Sequence, residues 1–135
     1  MICEAYPLGL MNISSIDHWV LTVKNIQATC QFYHQVLGME VITFGDNRKA
    51  LKFGEQKINL HQLSQEFEPK AGSPTAGSAD LCLISLVPLP QFIEHCDRCG
   101  VPIVLGPITR TGAKGKIKSV YIRDPDQNLL EIANY

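Results

Sequence analysis

The chain has 135 residues, 45% of them apolar and 19% charged, with a formal net charge of −1. That is the length of one ordinary domain and the composition of a globular one. It argues against a disordered chain, a basic nucleic-acid surface and a bilayer span, which needs roughly 20 apolar residues.

Residues 1–12 lack the basic start and apolar core of a secretory signal and read as an N-terminal extension, with organelle targeting left open. Residues 13–23 are rich in Ile, Val, Trp and Thr and predict a strand. From Asn25 the period changes: Ile26, Cys30, Tyr33 and Leu37 recur at helical spacing, with Asn25 as N-cap and Gly38 at the left-handed C-cap position. Three short strands follow near 40–44, 50–53 and 57–63. Gly45-Asp46-Asn47 and Gly54-Glu55-Gln56 supply the turns between them. Residues 67–77, with little apolar content, two prolines and two glycines, read as a linker.

The pattern then repeats. A strand begins at Asp80, a helix runs from about Pro88 to Cys99, and strands fall near 103–105, 119–123 and 128–133. His18 precedes Gly38 by 20 residues (38 − 18), and Asp80 precedes Gly100 by 20 as well (100 − 80). A longer loop, 106–116, shifts the offset from 62 at the first strands (80 − 18) to 70 at the last (131 − 61). One domain, 13–135, made of β-α-β-β-β modules 13–66 and 78–135 joined by linker 67–77, is the reading of an internal repeat of this size. The fold class expected is α+β.

Alternation assigns faces. Ile58 and Leu60, Leu81 and Leu83, Val120 and Ile122, Leu130 and Ile132 share one apolar phase and belong under the helices. Asn59, His61, Asp80, Cys82, Ser119, Tyr121, Arg123 and Glu131 occupy the other phase, which is wet or wraps a ligand. His18 and Glu131 lie among apolar strand residues, which favours the wrapped option, because a buried glutamate is rare unless paired or metal-bound. His18, His61, Asp80 and Glu131 are the candidate metal ligands, at what the spacing reads as equivalent strand positions.

Asp17-His18 opening the first strand, Phe32-Tyr33 with Leu37-Gly38 closing the helix, and Asp124-Pro125-Asp126-Gln127-Asn128-Leu129-Leu130-Glu131 near the end together carry a family likeness. In these elements the chain resembles the vicinal oxygen chelate superfamily of glyoxalase I, extradiol dioxygenases and fosfomycin- and bleomycin-resistance proteins. Arg110-Thr111-Gly112-Ala113-Lys114-Gly115 and the closing Asn134-Tyr135 resemble its glyoxalase-domain-containing branch. The resemblance implies a cupped mixed sheet of about eight strands with helices on its outer face, and one divalent metal ion (Mn, Fe, Co, Ni or Zn) on the cup floor. It implies a metal-dependent lyase or isomerase in which Glu131 doubles as general base while a developing oxyanion is stabilised. It equally accommodates a metal-free small-molecule binding module of the bleomycin-resistance type. Asp80 stands where the His-His-Glu version of the pattern has its second histidine, so it is either a hard ligand or a plain strand-start aspartate.

Among the remaining candidates, Tyr121, Arg110 and Lys114 are expected to contact substrate, the last two from a loop that is either a mobile lid or a solvated hairpin. Arg123 faces the cup or pairs with Asp124 or Asp126. Cys96 and Cys99, at a helix C-terminus that raises thiol pKa, read as core rather than as a redox or zinc motif. Five cysteines, an odd number without framework spacing, fit the reducing cytoplasm. The expected partners are a small molecule and a second copy in a homodimer that covers exposed sheet edges, with no nucleic acid and no membrane.

Overall fold

The computed structural model describes residues 9–135. Residues 1–8, most of the expected N-terminal extension, lie outside the described residues. The element order is β1 (His18–Val23), α1 (Ile26–Leu37), β2 (Glu40–Phe44), β3 (Arg48–Phe53), β4 (Gln56–Gln62), β5 (Asp80–Ile84), α2 (Leu89–Cys99), β6 (Leu105–Thr111), β7 (Lys116–Arg123) and β8 (Leu129–Asn134). Two β-α-β-β-β modules are present, and the class is α+β. The strands divide four and four, in orders β1-β4-β3-β2 and β5-β8-β7-β6. Within each module the first and last strands run parallel and the other pairs are antiparallel. No helix among the described residues is long and apolar enough to cross a membrane.

Local chemistry sets the helix ends. Asn25 Oδ1 accepts from Ala28 N at 2.9 Å, and Gly38 closes α1 at φ 69°. At α2 the residue before the helix is Pro88, which has no capping side chain, and the cap comes from another strand. Asn134 Oδ1 accepts from Leu89 N at 2.8 Å, while Asn134 Nδ2 donates to the Ser85 and Val87 carbonyls. The last residue of β8 thus satisfies an orphan donor at the start of α2.

The helix-bearing faces of both sheets share one core. Leu21, Val23, Ile58 and Leu60 from the first sheet join Tyr33 and Val36 of α1, Phe92 and Cys96 of α2, and Val120, Ile122, Leu130 and Ile132 of the second. Burying such side chains stabilises by about 1.5–3 kcal/mol each. Cys96 is buried as expected. Cys99 is not core: it is exposed at the C-terminal end of α2, 3.6 Å from His95 Nε2. Seven residues after buried Phe92 it shares that helix face, so its exposure comes with its place as the last residue of α2 and not with its azimuth.

Polar side chains clasp the modules. Asp124 is buried; its Oδ1 accepts from Asp126 N and Asn128 N, and its Oδ2 accepts from Asn128 Nδ2 and from Tyr33 Oη of the other module. Asp126 Oδ1 accepts from Lys24 N of the first module, while Asn128 Oδ1 accepts from Ala79 N within the second. Arg123 pairs with neither aspartate; it donates to the Gln127 carbonyl.

One element differs from expectation. Residues 106–116 were expected as a loop, but β6 runs to Thr111, pairing Arg110 with Ile117 and Thr111 with Lys116, and Gly112 N donates to Gly115 O to close the turn. β6 is an edge strand with a register shift between Leu105 and Ile108. It is held by main-chain pairing on one side, so it has no apolar alternation to reveal it.

Candidate functional site

The open face of the second sheet forms a concavity of about 360 Å³ whose lining includes Asp80, Leu105, Arg110, Tyr121, Arg123 and Glu131. Register accounts for the gathering: Cys82 pairs with Glu131 and Glu131 with Tyr121, so β5, β8 and β7 place these three in one row. Ser119, one step along the same face, donates to Glu131 Oε2 at 2.6 Å. Arg110 Nε donates to Tyr121 Oη at 3.0 Å, with the guanidinium over the ring. Burial, and then the neighbouring Glu131 carboxylate, push the Cys82 thiol up to about 11, so it stays protonated at neutral pH. Lys114 sits apart at the β6–β7 turn, where its backbone N donates to Tyr135 Oη.

The first sheet carries the two histidines. His18 Nδ1 meets Asp17 Oδ1 at 2.7 Å, and its side chain is 46% exposed. An ionised carboxylate only accepts, so the ring proton belongs on Nδ1 and the Nε2 lone pair is free. His61 is in a different situation. It is buried, its Nε2 faces Arg48 Nη2 at 3.4 Å, and its ring packs edge-on to Phe67 of the linker. Burial and then the Arg48 charge hold its pKa below the ordinary value.

Register corrects the expected equivalence of the four ligand candidates. His18 pairs with Lys57 and Asp80 with Leu129, so the two strand-opening residues do correspond. Glu131, opposite Cys82, then corresponds to Asn59, opposite Val20. His61, opposite Thr22, corresponds to Ala133, opposite Ile84. An offset of 70 (131 − 61) pairs the wrong residues; the aligned offset is 72 (131 − 59). His18 and His61 lie four residues apart along paired parallel strands, about 13 Å. Among the described residues, no three His, Cys, Asp or Glu side chains stand together as a metal cluster within the chain.

The donor chemistry nevertheless suits a divalent ion at His18 and Glu131. One has Nδ1 held by a carboxylate, the other has Oε2 held by a hydroxyl and a further bond from the Cys82 thiol, and both stand on strands with an open face. Asn59, Cys82 and Ser119 were legible only as members of the polar phase, and Arg48 gave no sequence signal of its own.

A family model described as the Glyoxalase/Bleomycin resistance protein/Dioxygenase superfamily matches residues 15–132. The chain is 57% identical over 125 residues to virulence protein STM3117 of Salmonella typhimurium, covering 93% of this chain and 87% of that one. The crystal structure of that protein has a TM-score of 0.91 to this one, over 93% of this chain and 99% of the other. Glyoxalase domain-containing protein RDO1 of Mycosarcoma maydis is 48% identical over 125 residues, 93% of this chain and 70% of that one. An integron cassette protein from the mobile metagenome of V. cholerae is 55% identical with a TM-score of 0.92, over 93% of this chain and 98% of that one.

Proposed function

The chain belongs to the glyoxalase/bleomycin resistance protein/dioxygenase superfamily, and on that footing we propose a divalent-metal-dependent enzyme, of lyase or isomerase type, acting on a small oxygenated or electrophilic molecule. The site is completed by a second copy, the first module of one chain facing the second module of another in a cytoplasmic homodimer. The observation that carries this reading is the placement of His18 and Glu131 on the open faces of two separate sheets, each side chain held in position by a hydrogen-bonding neighbour. Exposed apolar side chains on or beside the same strands, Val20, Ile84, Val104 and Leu105, are the kind of surface a partner covers.

In this reading His18, Asp80 and Glu131 hold the ion, and His61, committed to Arg48, does not. The ion supplies Lewis acidity to two neighbouring substrate oxygens. The chain's own residues do the rest. Asp17 orients His18. Ser119 fixes one Glu131 oxygen and leaves the other to hold or move a proton. Tyr121, braced by Arg110, contacts the substrate, while the neutral Cys82 thiol adds no competing charge.

A metal-free binding module is the second reading. It is favoured by the fact that His18 and Glu131 already have partners in Asp17 and Ser119 and need no ion to be satisfied. Elemental analysis after supplementation with Mn, Fe, Co, Ni and Zn in turn separates the two. About one ion per chain, reduced in His18→Ala, supports the enzyme; none with any ion leaves the binding module. Light scattering tests the shared site, which is lost if the mass stays at the single-chain 15.0 kDa through a wide dilution series.

A further inference from the structure

We infer that the open face of the first module holds a receptor for an oxyanion, a carboxylate or phosphate-type group, centred on Arg48 and borne by the small molecule bound between the open faces. This deepens the reading of those faces as one ligand site and rests on it.

Pairing β1 with β4 sets Thr22 beside His61, and pairing β2 with β3 sets Phe44 beside Arg48. The contact between Arg48 Nη2 and His61 Nε2 joins these pairs into one row across the sheet. The Arg48 guanidinium lies 5.0 Å from the Phe44 ring centroid and 4.5 Å from that of Phe67, which the linker brings over the sheet. A permanently charged, planar group is thus held against two aromatic faces. Among the described residues no carboxylate lies within ion-pair distance of it, Glu66 near His61 being paired with Lys70, and its Nε is buried with no acceptor. His61 cannot supply the missing anion: its Nε2 accepts from Arg48, which keeps the ring neutral. A cation in fixed geometry, with an unused N–H and only a neutral acceptor, suits a ligand oxyanion that takes two parallel bonds.

A second observation points to the same face. Asn59, two residues before His61 and 7% exposed, has a buried Oδ1 with no partner. An unsatisfied buried acceptor calls for a donor, so the ligand should also carry a hydroxyl or N–H. Lys57, farther along the face and 3.9 Å from the Phe44 ring centroid, adds positive potential. Arg48 sits four residues along and two strands across from His18, about 13 Å by about 10 Å. The ligand is therefore elongated, with an oxygen-rich reacting end near His18 and an anionic end at Arg48. The linker residue Phe67, exposed on its outer side, forms one wall of the receptor against the guanidinium.

The test is a titration of the full-length protein with acetate and, separately, with inorganic phosphate. Ionic strength is held constant with chloride, and the Arg48 Nε–H and His61 ring signals are followed by NMR. A saturable shift with a dissociation constant in the millimolar range for at least one oxyanion is expected, weakened about tenfold or more in Arg48→Met and unchanged in Arg98→Met, an exposed arginine at the end of α2. The acetate and phosphate arms distinguish the two anion types. No saturable shift with either, or binding kept at full strength in Arg48→Met, overturns the inference. The wild-type titration decides even where Arg48→Met fails to fold. Metal content plays no part in the readout, so oxyanion binding by a protein that takes no metal keeps this inference and removes only the metal-dependent one.

Discussion

Tyr33 and Asp124, 91 residues apart in the chain, meet side chain to side chain: Tyr33 Oη donates to Asp124 Oδ2 across 2.6 Å, with both groups buried. One comes from the middle of α1 and the other from the turn between β7 and β8, so this bond ties the first module to the second. The carboxylate that accepts it also organises its own turn through Asp126 N and Asn128 N.

Replacing Tyr33 with Phe removes the donor while leaving the ring. Hydrogen bonds to charged groups contribute about 1.5–3 kcal/mol, and that loss is expected in urea unfolding. The same variant should change the alkaline limb. Burial, then the Asp124 charge and bond, raise the Tyr33 pKa above its ordinary 10.0. The unfolded chain then gives up its proton first, so the native state binds more protons above that pH and stability falls as pH rises. Tyr33→Phe should flatten that limb by up to about 1.4 kcal/mol per pH unit. Equal slopes in the two proteins would count against the assignment.

His61 acts on the acid side. Burial and then Arg48 lower its pKa from 6.5 in the folded protein, so the unfolded chain takes up a proton first as pH falls. Its contribution to stability is present above that value and is lost as pH drops through it toward the folded pKa. The His61 ring signals should titrate below the ordinary histidine value of 6.5, and His61→Gln should lose this component of acid sensitivity.

A site shared between chains has a genetic signature. His18→Ala and Glu131→Gln should each lose metal. Mixing the two after subunit exchange should restore one intact site in every mixed dimer, about a quarter of all sites for random exchange of equal amounts. Recovery of none would place both residues of a site in the same chain.

Gly77 lies at φ 80°, and a Cβ there would stand 2.4 Å from the Asp126 carbonyl oxygen. Gly77→Ala should therefore cost roughly 1–3 kcal/mol through strained backbone and a displaced turn. Gly72→Ala, with nothing within 4 Å, should stay within about 0.5 kcal/mol of wild type. Similar melting temperatures for the two variants would mean that the linker does not seat on that turn.

The modules were legible because their boundaries are local. Asn25, Gly38 and Gly100 each act within one turn of their helix, and the alternation of Ile58 with Leu60 or Leu130 with Ile132 exposes the core face directly. β6 was not, because Gly106-Pro107 and the polar run Thr109-Arg110-Thr111 form an edge strand held by backbone pairing. At the site, His18, Asp80, Tyr121 and Glu131 could be singled out by chemistry and phase. The pairing of Glu131 with Asn59 instead of His61 across the repeat could not, since it depends on a shift of two residues hidden by the longer second hairpin. Asp124 and Asn128 read as an ordinary polar turn; that they are buried follows only from Tyr33 and Ala79 arriving from elsewhere in the chain.

The bonds from Tyr33 to Asp124 and from Lys24 to Asp126, together with the core common to both helices, hold the halves together without using the exposed stretch 68–73. That stretch is in effect a tether whose continuity the native structure does not require. Two separately expressed fragments, 1–72 and 73–135, should find one another and complement, and new termini could be opened there with the old ones joined. The duplication would then behave as two proteins that recognise each other.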